Sequence, residues 1–277
     1  MTFFVVIIPT FNRAKSLAQA VESVRAQIEP EWTLHVLDDG STDETPTLMV
    51  PYRQDARIHY HRYKDNRGGV AMNEIGMSIA VESGAKAWVR LGSDDWFEPE
   101  KLALDRLALG YGDACFGPYE NEGYLEGAGN YPRPAREELI AGSFSASWAN
   151  IAVKTSILRK VHDRFGNFVH PDLRNMEDWL FNLRAARFTD FIWRGQSEDG
   201  AQIAIGQRTK EELPFAYKPD AWYRVAQDGA TYAPAMRGYL EKDMGLTERL
   251  SGIERAMWAP DSIQRSTPVI LPGLPRA

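Results

Sequence analysis

Three of the adjacent acid pairs in the chain follow an apolar run or open a helical pattern: Asp38 with Asp39, Asp94 with Asp95, and Glu177 with Asp178. The first pair ends the apolar run in HVLDDGSTDET. There Gly40 supplies the turn, Ser41 a cap for the next helix, and Glu44 the reciprocal half of a capping box. That account leaves one acid over, because a turn needs a single carboxylate. Two successive side chains at a strand end point to opposite faces, so one can engage a ligand while the other anchors the loop. The second pair ends VRLGSDD, and carboxylates side by side repel unless positive charge sits between them. Capping is the competing account, since an acid near the N-terminus of EPEKLALDRLAL gains from the helix dipole. The third pair stands in HPDLRNMEDWLFNLRAAR, where acids in the first turn of a surface helix are also common.

The elements that must carry these acids alternate. FFVVIIP reads as a strand and NRAKSLAQAVESVRAQ as a helix, with Leu17, Ala20, Val21 and Val24 at helical spacing. WTLHVLDD, RIHYHRY, AWVRLGSDD and ACFGPYE read as further strands, separated by DETPTLMVPY, GGVAMNEIGMSIAVESG and EPEKLALDRLALGYG. Such alternation builds right-handed βαβ units and a mostly parallel sheet covered by helices. Ligands bind such sheets outside the carboxyl ends of the strands, where the first two acidic pairs fall. Pro9 closes the first strand and Asn12 can cap the helix after it.

Bulk properties narrow the classes. The 277 residues are 44% hydrophobic and 25% charged, as in ordinary globular proteins. A formal net charge of −6 without a basic stripe argues against nucleic acid as partner. The single cysteine, Cys115, forms no intrachain disulfide and suits a reducing compartment. No stretch has the length and apolarity of a signal peptide or membrane span, so the expected location is cytoplasmic.

VVIIPTFNRAKSLAQAVESVRAQ, HVLDDGSTDET, NRGGVAMNEIG and LGSDDWFEPEKL occur in the order and at about the spacing of the nucleotide-binding half of family 2 glycosyltransferases. The chain resembles that family strongly over residues 3 to 120 and weakly on to about 232. The resemblance implies an α/β fold of GT-A type, with a Rossmann-like, mostly parallel sheet flanked by helices. The nucleotide-sugar half would span 1–120, an acceptor-side and catalytic half 121–232, and a helical, Pro-rich C-terminal extension 233–277. It places Pro9, Thr10, Phe11 and Arg13 around a nucleoside, with Asp39 meeting the base N–H and Asp38 supporting it. A carboxylate accepting from an imide N–H favours uracil or thymine, and guanine also carries such a donor. Asn66, Arg67, Gly69 and Asn73 would lie near the sugar nucleotide.

The resemblance also puts Asp94 at the last acid of the family's DXD motif, with Ser93 and Asp95 beside it. Asp94 and Asp95 would hold Mn²⁺ or Mg²⁺, hard ions that bridge carboxylates to diphosphate oxygens. The family commonly reads Asp-x-Asp-Asp, and here Gly92 stands where the first acid would be. Inverting transfer needs a base for the acceptor hydroxyl, and the resemblance gives Asp178 that role with Glu177 as helper. Arg224, in FAYKPDAWYRVAQDGATY, would approach the diphosphate, although Gln227 replaces the family's His three residues on. Phe144, Trp148 and Tyr131 are candidates for stacking on sugars or for the core. His170 and Asp172 are candidates for lining the acceptor site. The donor class favoured is a UDP-sugar, and the acceptor a saccharide, lipid-linked, protein or small-molecule hydroxyl. The helical pattern of 236–250 suits an oligomer contact. Two other readings compete: a catalytically silent nucleotide- or glycan-binding relative, motivated by Gly92, and a nucleotidyltransferase. The latter's Gly-rich phosphate loop is missing from PTFNRAKSL.

Overall fold

The structure is a computed structural model and describes residues 2–117, 119–121, 124–126, 148, 151–170, 177–189, 191–193 and 205–207. The C-terminal extension expected over 233–277, with its oligomer contact, lies outside them, as do Arg224, Asp172, Tyr131 and Phe144. No described helix is long and apolar enough to cross a membrane.

The expected strands form: β1 (Phe4–Thr10), β2 (Trp32–Asp38), β3 (Ile58–Arg62), β4 (Ala87–Arg90) and, further on, β6 (Ala114–Phe116). Between them run helices α1 (Ala14–Arg25), α2 (Thr45–Leu48), α3 (Gly69–Glu82) and α4 (Lys101–Ala108). Asp95–Phe97 form a short strand, β5, and Tyr119–Asn121 and Tyr124–Glu126 form β7 and β8. Then follow β9 (Ile151–Lys154), α5 (Thr155–Phe165), α6 (Glu177–Ala186), β10 (Phe191–Trp193) and β11 (Ile205–Gln207). The main sheet has seven strands in the order β10-β6-β9-β4-β1-β2-β3, and β5-β11-β7-β8 make a second one. β1 pairs in parallel with β2 and β4, and β2 with β3, whereas β9 runs antiparallel to both β4 and β6.

The side-chain period of two divides the strands between two cores. Phe4, Val6 and Ile8 face α1, whose Leu17, Ala20, Val21 and Val24 are the buried stripe read from the sequence. Val5 and Ile7 face the opposite layer, with Met72, Met77 and Ala80 of α3, Ile157 and Leu158 of α5 and Phe181 of α6. α3 lies tight on β1: a Cβ on Gly76 would stand 2.6 Å from Ile7 Cγ2. The parallel registers Thr10 with Asp38 and Ile7 with Arg90 bring the carboxyl ends of β2, β1 and β4 to one rim, side by side.

Candidate functional site

The loops after β1 and β2 are clipped together by side chains. Asn12 adopts a positive φ of 53°, and its Oδ1 accepts from the N–H of Thr42 at 2.8 Å and of Asp43 at 3.3 Å. Its own N–H donates to Ser41 Oγ at 2.9 Å. Asp43 Oδ2 in turn accepts from the N–H of Ala14 at 3.0 Å, so the N-terminus of α1 is capped from the neighbouring loop rather than by Asn12. The capping box expected from Ser41 and Glu44 does not form: α2 begins at Thr45, and Ser41 serves the loop. Two acceptors competing for nearby N–H groups explain the change, since Asp38 Oδ1 takes the Ser41 N–H at 2.8 Å. Pro9 does not end β1, which runs on to Thr10.

Asp38 is fully buried. Beyond Ser41 it accepts from the Tyr60 hydroxyl, and Arg62 Nε lies 3.8 Å from its Oδ2. Burial, then the hydrogen bond to Asp38, pushes the Tyr60 phenol above its ordinary range. Asp39 accepts from two successive backbone N–H groups, Arg67 at 2.7 Å and Gly68 at 2.8 Å, one on each carboxylate oxygen. It thereby ties the carboxyl end of β2 to the entrance of α3, with further lone pairs on both oxygens. Gly68, at φ 87°, leads into that helix, and Asn66, Arg67 and Gly69 are exposed around the turn. Phe11, 42% exposed, stands at the end of β1.

Beyond β4 the answer to the acid pair is two arginines. Arg13, from the loop after β1, forms an ion pair with Asp94 Oδ2, and each side chain stays about a quarter exposed. Arg90 and Arg13 both act on Asp95, but burial and the charge of Asp94 outweigh them and push the Asp95 carboxyl up to about 7. Neither acid caps α4, whose N-cap is Glu100. Asp95 instead opens β5, and Ser93 is buried beside them. Gly92 is spatially tied to this pair: a Cβ there would lie 2.4 Å from Asp95 Oδ2 and 3.0 Å from Asp94 Oδ1. The Asp95 carboxylate thus fills the space that the absent first acid's side chain would need.

On the acceptor side, Glu177 and Asp178 do fall in the first turn of a helix, α6. Glu177 Oε1 accepts from Asn73 Nδ2 at 3.4 Å and from the Trp148 indole at 3.3 Å, and Asn73 Oδ1 accepts from Arg90 Nε at 2.8 Å. Trp148 is a core residue, edge-on to Trp88 at 5.5 Å, which closes the sugar-stacking alternative in favour of packing. Asp178 and His170 are partly exposed.

The segment 5–116 matches the family model described as Glycosyl transferase family 2. Residues 5–116 belong to glycosyl transferase family 2. Protein CgeD of Bacillus subtilis (strain 168) is 24% identical over 199 residues, which are 68% of this chain and 47% of CgeD. Two further curated relatives are matched over only 16% of their length, so the chain spans less than half of these relatives. Among solved structures, S. aureus TarS 1-349 in complex with UDP-GlcNAc superposes with a TM-score of 0.64 at 18% identity, covering 93% of this chain and 78% of that one. The mannosyltransferase PcManGT from Pyrobaculum calidifontis, in complex with GDP-Man and Mn²⁺, gives 0.60 at 15% identity, covering 95% and 73%. At such identities the likeness is one of fold, and it agrees with the GT-A architecture expected from the family 2 motifs.

Within the family 2 segment, the tertiary structure gathers Thr10, Phe11, Arg13, Asp38, Asp39 and Asp94 on one rim. Tyr60, Arg62 and Arg90 were missed by the sequence reading. An alternating strand shows them only as polar positions near its carboxyl end, which is the one signal that could have raised them.

Proposed function

We propose that the protein is an inverting glycosyltransferase that moves a sugar from a nucleoside diphosphate donor, a UDP-sugar favoured, to an acceptor hydroxyl. The observation that carries this reading is the contact of Arg13 with Asp94, 81 residues apart, which joins the loop after β1 to the acids after β4, with Asp39 just past the end of β2 on the other side of β1. A nucleoside lying across β1 and β2 would find Phe11 as an exposed ring and Asp39 as an acceptor for a base N–H. Its diphosphate would then extend toward Asp94.

The donor set suits a hard divalent ion. Asp94 and Asp95 offer carboxylate oxygens only, and Mg²⁺ or Mn²⁺ bound by one or two carboxylates completes its shell with phosphate and water. Among the described residues no group of three or more His, Cys, Asp or Glu side chains is arranged to hold a metal by itself. When bound, such an ion neutralises charge on the leaving diphosphate. Arg13 supplies positive charge to the same rim, where it pairs with Asp94. Asp178 holds the place for the base that takes the acceptor proton, with Glu177 fixing its helix. UDP-GlcNAc in TarS, and GDP-Man with Mn²⁺ in PcManGT, support a nucleotide-sugar donor and a divalent ion.

Calorimetric titration of UDP with and without Mn²⁺, together with transfer assays over a panel of nucleotide sugars, tests the reading. Binding strengthened by Mn²⁺ and lost in Asp94→Ala is expected, as is turnover lowered about 10²–10⁴-fold in Asp178→Asn. Gly92 favours a second reading, a silent nucleotide-binding relative. UDP binding without turnover of any donor would establish that reading instead, and no nucleotide binding at all would overturn both.

A further inference from the structure

We propose that Asn73 is a positioning residue that locks the first turn of α6 to the acid-bearing end of β4. Its catalytic consequence rests on the glycosyltransferase reading above, while its geometry stands on contacts alone. Asn73 is 1% exposed, one turn before Gly76, where α3 closes on β1. Its carboxamide works in two directions: Oδ1 accepts from Arg90 Nε at 2.8 Å, and Nδ2 donates to Glu177 Oε1 at 3.4 Å.

The chemistry of the partners fixes this orientation. A guanidinium only donates and an ionised carboxylate only accepts, so the amide oxygen must face Arg90 and the amide nitrogen Glu177. An asparagine satisfies both at once, and neither Asp nor Leu of similar size does. Arg90 is the last residue of β4, and its charge acts on Asp95. The bridge therefore links β4, α3 and α6. It registers Glu177 and Asp178 against Asp94 and Asp95, and reactions of this kind lose about 10²-fold for a misplacement near 1 Å. A residue that merely filled core volume would need no such pair of complementary partners.

A charge-swap cycle tests the inference. Asn73→Asp keeps the acceptor for Arg90 but sets a carboxylate against Glu177. Adding Glu177→Gln restores a donor and an acceptor with their polarity exchanged. Three readouts are taken: hydrogen exchange of the backbone over 177–186, UDP binding by calorimetry, and UDP-GlcNAc hydrolysis with Mn²⁺. Asn73→Asp is expected to speed exchange in the first turn of α6 about tenfold and to lower kcat roughly 10–100-fold, with the Kd for UDP within about threefold. The double variant is expected to return exchange and kcat to within about threefold of Glu177→Gln alone. Unchanged exchange in Asn73→Asp, or a double variant as mobile and slow as the single, would overturn the proposal. Should the unaltered protein turn over no nucleotide sugar, the glycosyltransferase reading fails, and the exchange data still decide whether Asn73 holds α6.

Discussion

At position 92 a side chain and the Asp95 carboxylate compete for one volume. The shortest approach, 2.4 Å from a built Cβ to Asp95 Oδ2, is to the end of a side chain that can rotate. Gly92→Ala should therefore move Asp95 rather than the backbone, at a cost of roughly 0.5–1.5 kcal/mol. In an Asp95→Ala background that clash is gone and the 3.0 Å approach to Asp94 Oδ1 remains, so the same change should cost less, under about 0.5 kcal/mol, with the loss of unfolded-state freedom working against the cost. Urea denaturation of the four proteins in a double-mutant cycle measures the difference, and strictly additive costs would show that residues 92 and 95 do not share space. Asp94 differs from Asp95 in holding a cation already. Its pairing with Arg13 explains how adjacent acids are tolerated at this rim before any ligand binds.

Among the elements, the β2–β3 pair at the edge of the main sheet carries a histidine cluster. His35 pairs with His59 in the strand register, and His35 Nδ1 lies 3.0 Å from His61 Nε2 with the rings stacked. A hydrogen bond between two imidazoles requires a lone pair on one of them, so charging both rings breaks it. Burial first, then the charges of His59 and His61, lowers the His35 pKa from 6.5 to about 4. A folded pKa below the unfolded one means that the unfolded chain binds the proton more readily. The stability His35 contributes is thus complete above pH 6.5 and lost as the pH falls toward about 4. Between pH 7.5 and 5 this amounts to about 1–2 kcal/mol once partial exposure is allowed for. Denaturant midpoints across that range should fall more steeply for the unaltered protein than for His35→Gln, and parallel curves would show that His35 does not titrate there. The strand end beside this cluster supplies Tyr60 and Arg62 to Asp38, so loosening β3 in acid should loosen the Asp38 loop as well.

For the whole molecule, a ligand that binds only the folded form adds stability in proportion to the logarithm of its saturation. UDP with Mn²⁺ at about a hundred times its Kd should add about 2.7 kcal/mol and raise Tm. The Mn²⁺-dependent part of that rise should vanish in Asp94→Asn, and a rise that is the same with chelator present would remove the ion from the site. Such linkage is possible because the rim is assembled from loops far apart in sequence but next to each other across β2, β1 and β4. Their alternation, the α1 stripe of Leu17, Ala20, Val21 and Val24, and the placing of Asp39 and Asp94 at strand ends were legible in the amino-acid sequence. Those features follow from local periodicity and chain order, which short-range sterics and the burial of one face translate directly into elements. Only the tertiary structure decided that β9 enters the sheet antiparallel between β4 and β6, that Asp43 rather than Asn12 caps α1, and that Arg13 reaches Asp94 while Asn73 joins Arg90 to Glu177. Each of these is a choice among several polar partners of similar local merit, and it is made by which surfaces the packed layers bring within about 3 Å, a distance that hydrogen bonding demands.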